Sequence, residues 1–383
     1  MAEKPTPTSI PAIMAPPRER DNPLTRSLAG LIGIGFLTAM MAACLFSLPW
    51  TLGTIKDDAG NDTGLQRFEA GDTRAARLPP IWVSPNTEDR LALNALVDRD
   101  IVQKLAEANS LDPDEVILEL DGDIARELRR HWPTTQEPLF YLLGSDNLGR
   151  SLFVRVLAGG GISLVIGIAA ALLSVFIGTV YGAISAYAGG KVDAVMMRIV
   201  DVLYGLPYIL LVVLLAVASD AYIEDRFPNI NDGTRTLLDV AVLLVAIGGV
   251  SWLTLARVVR GQGLSLKNQP FIEAARAMGA APPRIFLKHL LPNLVGPIVV
   301  YATLAVPQAI LQESFLSFLG IGVKPPLPSW GNLAADALGE LNTHESHWWL
   351  LLFPCLLLGT TLLALNFVGE GLREAFDPKR ARR

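Results

Sequence analysis

The sequence is short of the residues that soluble enzymes rely on. Only 18% of its 383 residues are charged, 7% are aromatic, and there are two cysteines and four histidines. With 51% hydrophobic residues, so low a charge excludes a disordered chain and points to an integral membrane protein. Cys44 and Cys355 both fall inside apolar runs, which excludes a disulfide framework and makes them packing residues. A formal net charge of -5 gives no basic balance for nucleic acid, so no nucleic-acid partner is expected. Catalytic motifs are missing too. His344-Glu345-Ser346-His347 is one residue short of the metalloprotease spacing, and although the two histidines could share a helix face, nothing near them supplies softer ligands. Gly189-Gly190-Lys191 lacks the upstream Gly and the Ser or Thr of a phosphate-binding loop. The chain is therefore expected to be no enzyme, with neither metal nor nucleotide of its own.

What is abundant is long apolar sequence. Runs at 28–50, 162–187, 199–219, 237–258, 294–311 and 348–368 are each about long enough to cross a bilayer. The first follows a polar leader with Lys4, Arg18, Arg20 and Arg26, and Met41-Ala42-Ala43-Cys44 comes near a lipoprotein cleavage box. A signal h-region would be shorter, so a retained anchor is favoured over a cleaved peptide. Six spans put both termini on one side. A cytoplasmic amino terminus leaves Lys191, Arg198, Arg257, Arg260, Lys267, Arg276, Arg284, Lys288, Arg373, Lys379, Arg380, Arg382 and Arg383 inside, and only Arg226, Arg235 and Lys324 in the two short outer loops.

The expected organisation is a cytoplasmic tail over 1–27, a first span over 28–50, an external acidic segment over 51–138, a core over 139–372 and a basic tail over 373–383. Within the external segment, Asn86-Thr87 can cap a helix with Leu91, Ala95, Leu96, Val102 and Leu105 on one side. Asp112-Pro113 opens another, with Val116, Ile117, Leu120, Ile124 and Leu128 buried and Trp132-Pro133 near its end. A small helical domain and a solvated spacer both fit so few apolar residues. In the core, Arg198 and Asp201 are spaced to pair on one helix face before a kink at Pro207. Glu313 reads as interfacial, and Trp330, Trp348 and Trp349 read as aromatic-belt anchors. Gly159-Gly160-Gly161, at the mouth of a span, suits close helix packing or a flexible entry.

One segment, 262–293, is too polar to cross the membrane and too patterned for a plain loop. Asn268 or Gln269 can cap a helix, Pro270 suits its first turn, Glu273 favours its positive end, and Gly279 stops it. Ile272, Ala274, Ala275 and Met278 offer a small-sided apolar surface. A second helix begins at Pro282 or Pro283, with Arg284 and Lys288 on one face and Ile285, Leu287, Leu290 and Leu291 on the other, before Pro292 turns the chain into the fifth span. A docking surface and a hairpin lying on lipid headgroups are the two readings of this pattern.

Glu273-Ala274-Ala275, Gly279, Ile285 and Leu291-Pro292-Asn293 resemble the EAA loop in the membrane subunits of binding-protein-dependent ABC importers. Leu143-Gly144-Ser145-Asp146-Asn147-Leu148-Gly149-Arg150, Met197-Arg198 with Asp201 and Pro207, and Glu313-Ser314 through Gly320 with Pro328-Ser329-Trp330-Gly331 extend the resemblance to the C-type permeases for dipeptides, oligopeptides and nickel. Ser151 stands where that family usually has Asp, and Gly160-Gly161 replaces a small residue and Arg. The resemblance implies an all-α membrane protein with six transmembrane helices of the type I importer permease fold and a helical external insertion between the first two. It implies a homologous B-type permease, two cytoplasmic ABC ATPases that bind ATP and Mg, and an external solute-binding protein as partners, in a bacterial inner membrane. Glu273, Ala274, Ala275, Gly279, Ile285 and Pro292 would couple to the ATPase, with Arg198, Asp201, Pro207, Glu313 and Trp330 as structural or pathway residues. Peptide import is the leading reading, and nickel or another small solute on the same scaffold is the alternative. An ATP-independent transporter would place its ionisable groups near mid-membrane, whereas those here fall near the span ends. A membrane-tethered binding module would leave the 262–293 pattern unexplained.

Overall fold

The computed structural model describes residues 28–56, 62–132, 141–341 and 346–376. The leader cations, His344, Glu345 and the terminal Lys379, Arg380, Arg382 and Arg383 lie outside them. The membrane part is built from helices apolar on every side, as lipid demands. They are α1 (Leu28–Thr51), α6 (Leu152–Ala188), α9 (Asp232–Lys267), α12 (Leu291–Phe318) and α14 (Trp348–Phe376). Ser151 and Asn231 start α6 and α9 by accepting from Val154 and Thr234 N–H at 3.5 and 2.9 Å, so the Ser at the departure from the family pattern serves as a helix cap.

Among the described residues, five helices are long and apolar enough to cross a membrane, and a sixth span arises if α7 (Gly190–Tyr204) and α8 (Tyr208–Arg226) are counted together. These two meet at 88°, so the third apolar run is a right-angled break rather than one kinked helix. Pro207 has no N–H to continue α7, and the helix closes at Gly205.

α6 is the central post. One apolar core joins it to α9 and α12 through Ile166, Ala170, Ile247 and Leu316, and takes in Val200 and Val212 from the two bent helices. A second joins α1, α6, α14 and the short α13 (Trp330–Leu338) around Trp330. Trp330 corrects the belt expectation, because it is fully buried and its indole N–H donates to the Val156 carbonyl at 3.1 Å. Trp349 is buried as well, and Trp348 alone of the three is exposed. Gly159-Gly160-Gly161 lies inside α6, and a Cβ on Gly160 would come within 2.6 Å of the Trp330 ring and 2.7 Å of the Cys44 sulfur. Close packing is what these glycines provide. Cys44 is buried there, whereas Cys355 is exposed on α14.

The described part of the segment between α1 and α6 carries a β1–β2 pair (Thr54–Lys56, Asp62–Gln66) and the short helices α2 (Thr87–Ala95), α3 (Arg99–Asn109), α4 (Pro113–Leu118) and α5 (Gly122–Arg130). Asn86 and Asp112 form capping boxes with Asp89 and Glu115. Each helix read from the sequence is two helices, because Asp98 caps a fresh start at Arg99 and the chain extends at Glu119 before Gly122. Leu78, Leu93, Val97, Val102, Val116 and Leu128 enclose a core. Beside it Trp132 Nε1 donates to Asn94 Oδ1 at 2.9 Å, and Asn94 Nδ2 donates to the Ile117 carbonyl at 2.9 Å. This unit is fixed to the bundle by polar contacts. Arg77 pairs with Glu340 at 2.7 Å, Leu78 N–H donates to Ser145 Oγ at 2.8 Å, and Gly71 bridges to Arg150. The Arg77 guanidinium holds the Glu340 carboxyl below its ordinary range, and Arg74 does the same for Asp72.

Candidate functional site

At the end of the bundle away from that unit, α9 leads into α10 (Pro270–Ala277) and α11 (Pro282–Ile285). Gln269 is the extended N-cap, Pro270 fills the first turn, and Glu273 sits beside the N–H groups it favours. Gly279 ends the helix at φ +78, where Ala280 N–H reaches back to the Ala275 carbonyl at 3.0 Å.

The two faces of α10 differ. Ile272 and Ala275 are buried against Ile285, with Tyr187 and Ala280 beside them. Phe271, Glu273, Ala274 and Met278 are exposed, Met278 by 81%. Ala275 and Ile285, which the resemblance implies as coupling residues, pack inside the loop, and Phe271, Ala274, Ala277 and Met278 are the apolar residues of α10 left exposed. Helical spacing explains the split, since positions 272 and 275 lie three apart on one face and 274 and 278 four apart on another.

Pro292 is a second correction. It turns nothing, because α11, a π-helical turn over Phe286–Leu290 and α12 form one uninterrupted helical run. Proline lacks the N–H that would pair with the Lys288 carbonyl and its ring crowds that oxygen, so the preceding turn widens by one residue. Asn293 Nδ2 donates to the His289 carbonyl at 2.6 Å, one residue past the widened turn.

Charged groups bind this loop to the membrane helices. Lys267 donates to the Tyr187 carbonyl at 2.7 Å at the end of α6. The Asp193 carboxylate accepts from both Arg260 Nε and Nη2 at 2.5 Å and from Ser185 Oγ at 2.6 Å, tying together α6, α7 and α9. Asp201 pairs with Arg257 at 2.9 Å, and Arg257 also lies 4.1 Å from the Tyr204 ring centroid. The expected Arg198–Asp201 pair is thus replaced by a bond across helices, and Arg198 is exposed. Sequence spacing registers only pairs on one helix, so it missed Asp193 and Arg260 as well.

Glu313 also departs from expectation. It is fully enclosed, not interfacial. Ser317 Oγ donates to it at 2.8 Å and Ser314 Oγ at 3.2 Å, and Ser163 and Ser329 are further hydrogen-bond partners. It therefore knots α6, α12 and the cap of α13 together. Opposite the loop, Asp220, Asp239, Arg235 and Lys324 form an ionic cluster joining α8, α9 and the turn after α12. Of the histidine pair, His347 packs edge-on against Trp349 and lies 3.4 Å from Glu340, while His344 is outside the described residues.

Residues 178–382 match the family model for the binding-protein-dependent transport system inner membrane component. The chain is 46% identical over 240 residues to the oligopeptide transport system permease protein OppC of Haemophilus influenzae, covering 63% of this chain and 71% of that one. It is 44% identical over 236 residues to the dipeptide transport system permease protein DppC of Bacillus subtilis, covering 62% and 68%. A chain of the inward-facing methionine ABC transporter MetNI aligns at 20% identity and a TM-score of 0.44, covering 58% of this chain and 96% of that one. A family model matched over more than half of the chain, with permease relatives at 44–46% identity, gives one assignment: the chain belongs to the family of inner membrane components of binding-protein-dependent transport systems.

Proposed function

We propose that this chain is the C-type permease subunit of an ABC importer of peptides, and that α10 is where a separate ATPase grips it. The observation that carries the coupling role is the exposed face of α10, with Phe271, Glu273, Ala274 and Met278 outward on a helix whose other side packs on Tyr187 at the end of α6 and on Ile285 of α11, which runs on into α12. A force on that face passes through Ile272, Ala275 and Ile285 into Tyr187 and Phe286, whose rings meet edge-to-face at 6.1 Å, and so into two membrane helices. Peptide cargo is supported by relatives named as oligopeptide and dipeptide permeases at 44–48% identity.

On this reading both termini and α10 are cytoplasmic, the unit over 51–138 is external, and a homologous B-type permease supplies the other half of the pathway. Two ATPases bind ATP and Mg, and an external binding protein delivers the peptide. Glu273 offers an acceptor to the ATPase, Ala274 permits close approach, and Gly279 permits the turn. Replacing Glu273 by Lys and Gly279 by Val in the assembled transporter should leave the chain inserted, release the ATPase on purification and cut uptake by about tenfold or more. Undiminished uptake with the ATPase still bound would remove the docking role.

A further inference from the structure

The strip that ties the insertion to the bundle turns two apolar residues outward. Leu78, Pro79 and Pro80 are buried, and the chain then reverses through a tight turn in which Val83 N–H donates to the Pro80 carbonyl at 2.8 Å. Ile81 and Trp82 form its tip, and they are 44% and 56% exposed. Turn tips that meet water favour Gly, Asn, Asp and Ser, which supply backbone freedom or a polar group. A β-branched residue and an indole suit an apolar solvent instead.

Contacts with α14 fix the depth of this turn. The Trp82 ring lies edge-on to Phe353 with centroids 5.9 Å apart, and the ring of Trp348, the first residue of α14, lies 6.4 Å from the same Phe353. Phe353 is about 7.5 Å further along the helix axis than Trp348. Segments that lie in a membrane interface bury their apolar side about 5–10 Å into the headgroup and acyl boundary, which is that level. Trp348 is exposed, and below it Leu352 and Leu356 continue an exposed apolar stripe along α14. The neighbouring α1 ends in the same way, with Trp50 exposed and the Arg67 guanidinium 4.6 Å from its ring centroid, a cation suited to lipid phosphate. Indoles at the same end of two spanning helices mark a membrane–water boundary, and the Trp82 turn is continuous with it. A soluble partner stays above the headgroups and does not reach the level of Phe353. Backbone brought to that depth needs its polar groups paired. Here the two prolines carry no N–H, and Ile81 N–H donates to the Leu142 carbonyl at 3.5 Å.

We propose that the Ile81–Trp82 turn is a lipid anchor of the insertion, immersed in the headgroup and upper acyl region of the leaflet on that side. The helices over 87–130 then ride on the bilayer surface instead of standing free above it. The assignment needs α1 and α14 to cross the bilayer and is independent of the cargo.

The test uses the complete transporter in vesicles of phosphatidylethanolamine and phosphatidylglycerol, with a nitroxide on Trp82→Cys in a Cys355→Ser background, where Cys44 is buried and stays unlabelled. Relaxation by oxygen, which enters lipid, should exceed relaxation by chromium oxalate, which stays in water, by about fivefold. A nitroxide on Trp348→Cys should behave alike, and one on Leu118→Cys, an exposed position on α4, should show the reverse order. With the native side chain in place, lipid brominated in its upper acyl chain should quench the tryptophan emission of the unaltered transporter more than that of Trp82→Phe. Relaxation at position 82 matching that at position 118 would leave the turn in water, and a nitroxide reached by neither reagent would put another subunit over it. Either result, or equal quenching in protein and variant, would overturn the anchor.

Discussion

Single residues show how little the polar inventory of a membrane protein tells until partners are known. Glu313 and Trp330 look like boundary residues in the sequence, yet both are fully enclosed, one by serine hydroxyls and the other by α6 glycines. Each polar atom so placed needs a partner, because lipid and protein interiors offer no water. Glu340 is the opposite case, a carboxylate near the surface whose pairing is conditional on pH. The Arg77 hydrogen bond and charge lower its value, and burial opposes them. A carboxyl depressed in the folded state contributes stability above its ordinary value of 4.5 and loses it as pH falls through the lower, folded one. The contact between the insertion and the α13 end should therefore loosen only in acid below 4.5. Amide exchange over residues 71–83, corrected for its intrinsic pH dependence, should rise there in the unaltered protein, and Arg77→Gln should exchange fast already at neutral pH. A protein and variant that behave alike across the range would remove the pair from the docking.

Elements were legible in the sequence where the signal is local. Apolar runs marked all the long helices, and Asn86, Asp112 and Gly279 marked starts and a stop that the structure uses. Signals that depend on distant partners were not legible. The Asp201–Arg257 bond joins residues far apart in sequence, and the split of Ala275 from Ala274 is visible only once Ile285 is folded back beside it. Pro292 was read as a turn because proline usually ends a helix, but a widened turn lets the helix run through it. That widening sets the rotation of α11 relative to α12. Pro292→Ala restores the missing N–H, allows regular α-helix from 282 onward and should rotate the loop by roughly a quarter turn against its anchors. The expected result is a transporter that assembles and hydrolyses ATP at close to the normal rate while uptake drops severalfold. Equal loss of both activities would mean that the proline serves folding alone, and no loss would mean that the register is unimportant.

On the scale of the whole molecule, two units with different chemistry share one chain. The bundle is held by apolar packing around α6 and by ionic knots at its ends, whereas the helices over 87–130 are held by their own small core. Between them stands a strip, residues 67–83, which belongs to both. Phe68 packs with Val154 and Ala158 of α6, while Ala75 and Leu78 belong to the core of the insertion. A truncation that takes the strip should therefore damage the bundle, and one that spares it should not. Replacing 86–132 by a short Gly-Ser linker leaves Phe68, Arg77 and the 141–151 contacts in place, at the cost of exposing Leu78 and Tyr141. If the insertion receives the external binding protein, that variant should keep near-normal thermal stability and basal ATPase activity. Its uptake should need about tenfold or more binding protein to reach half-maximal rate, with a maximal rate little changed. Uptake with an unaltered half-saturation point would leave the insertion as a spacer. A loss of basal ATPase activity together with stability would show instead that α2 to α5 brace the membrane helices through the strip.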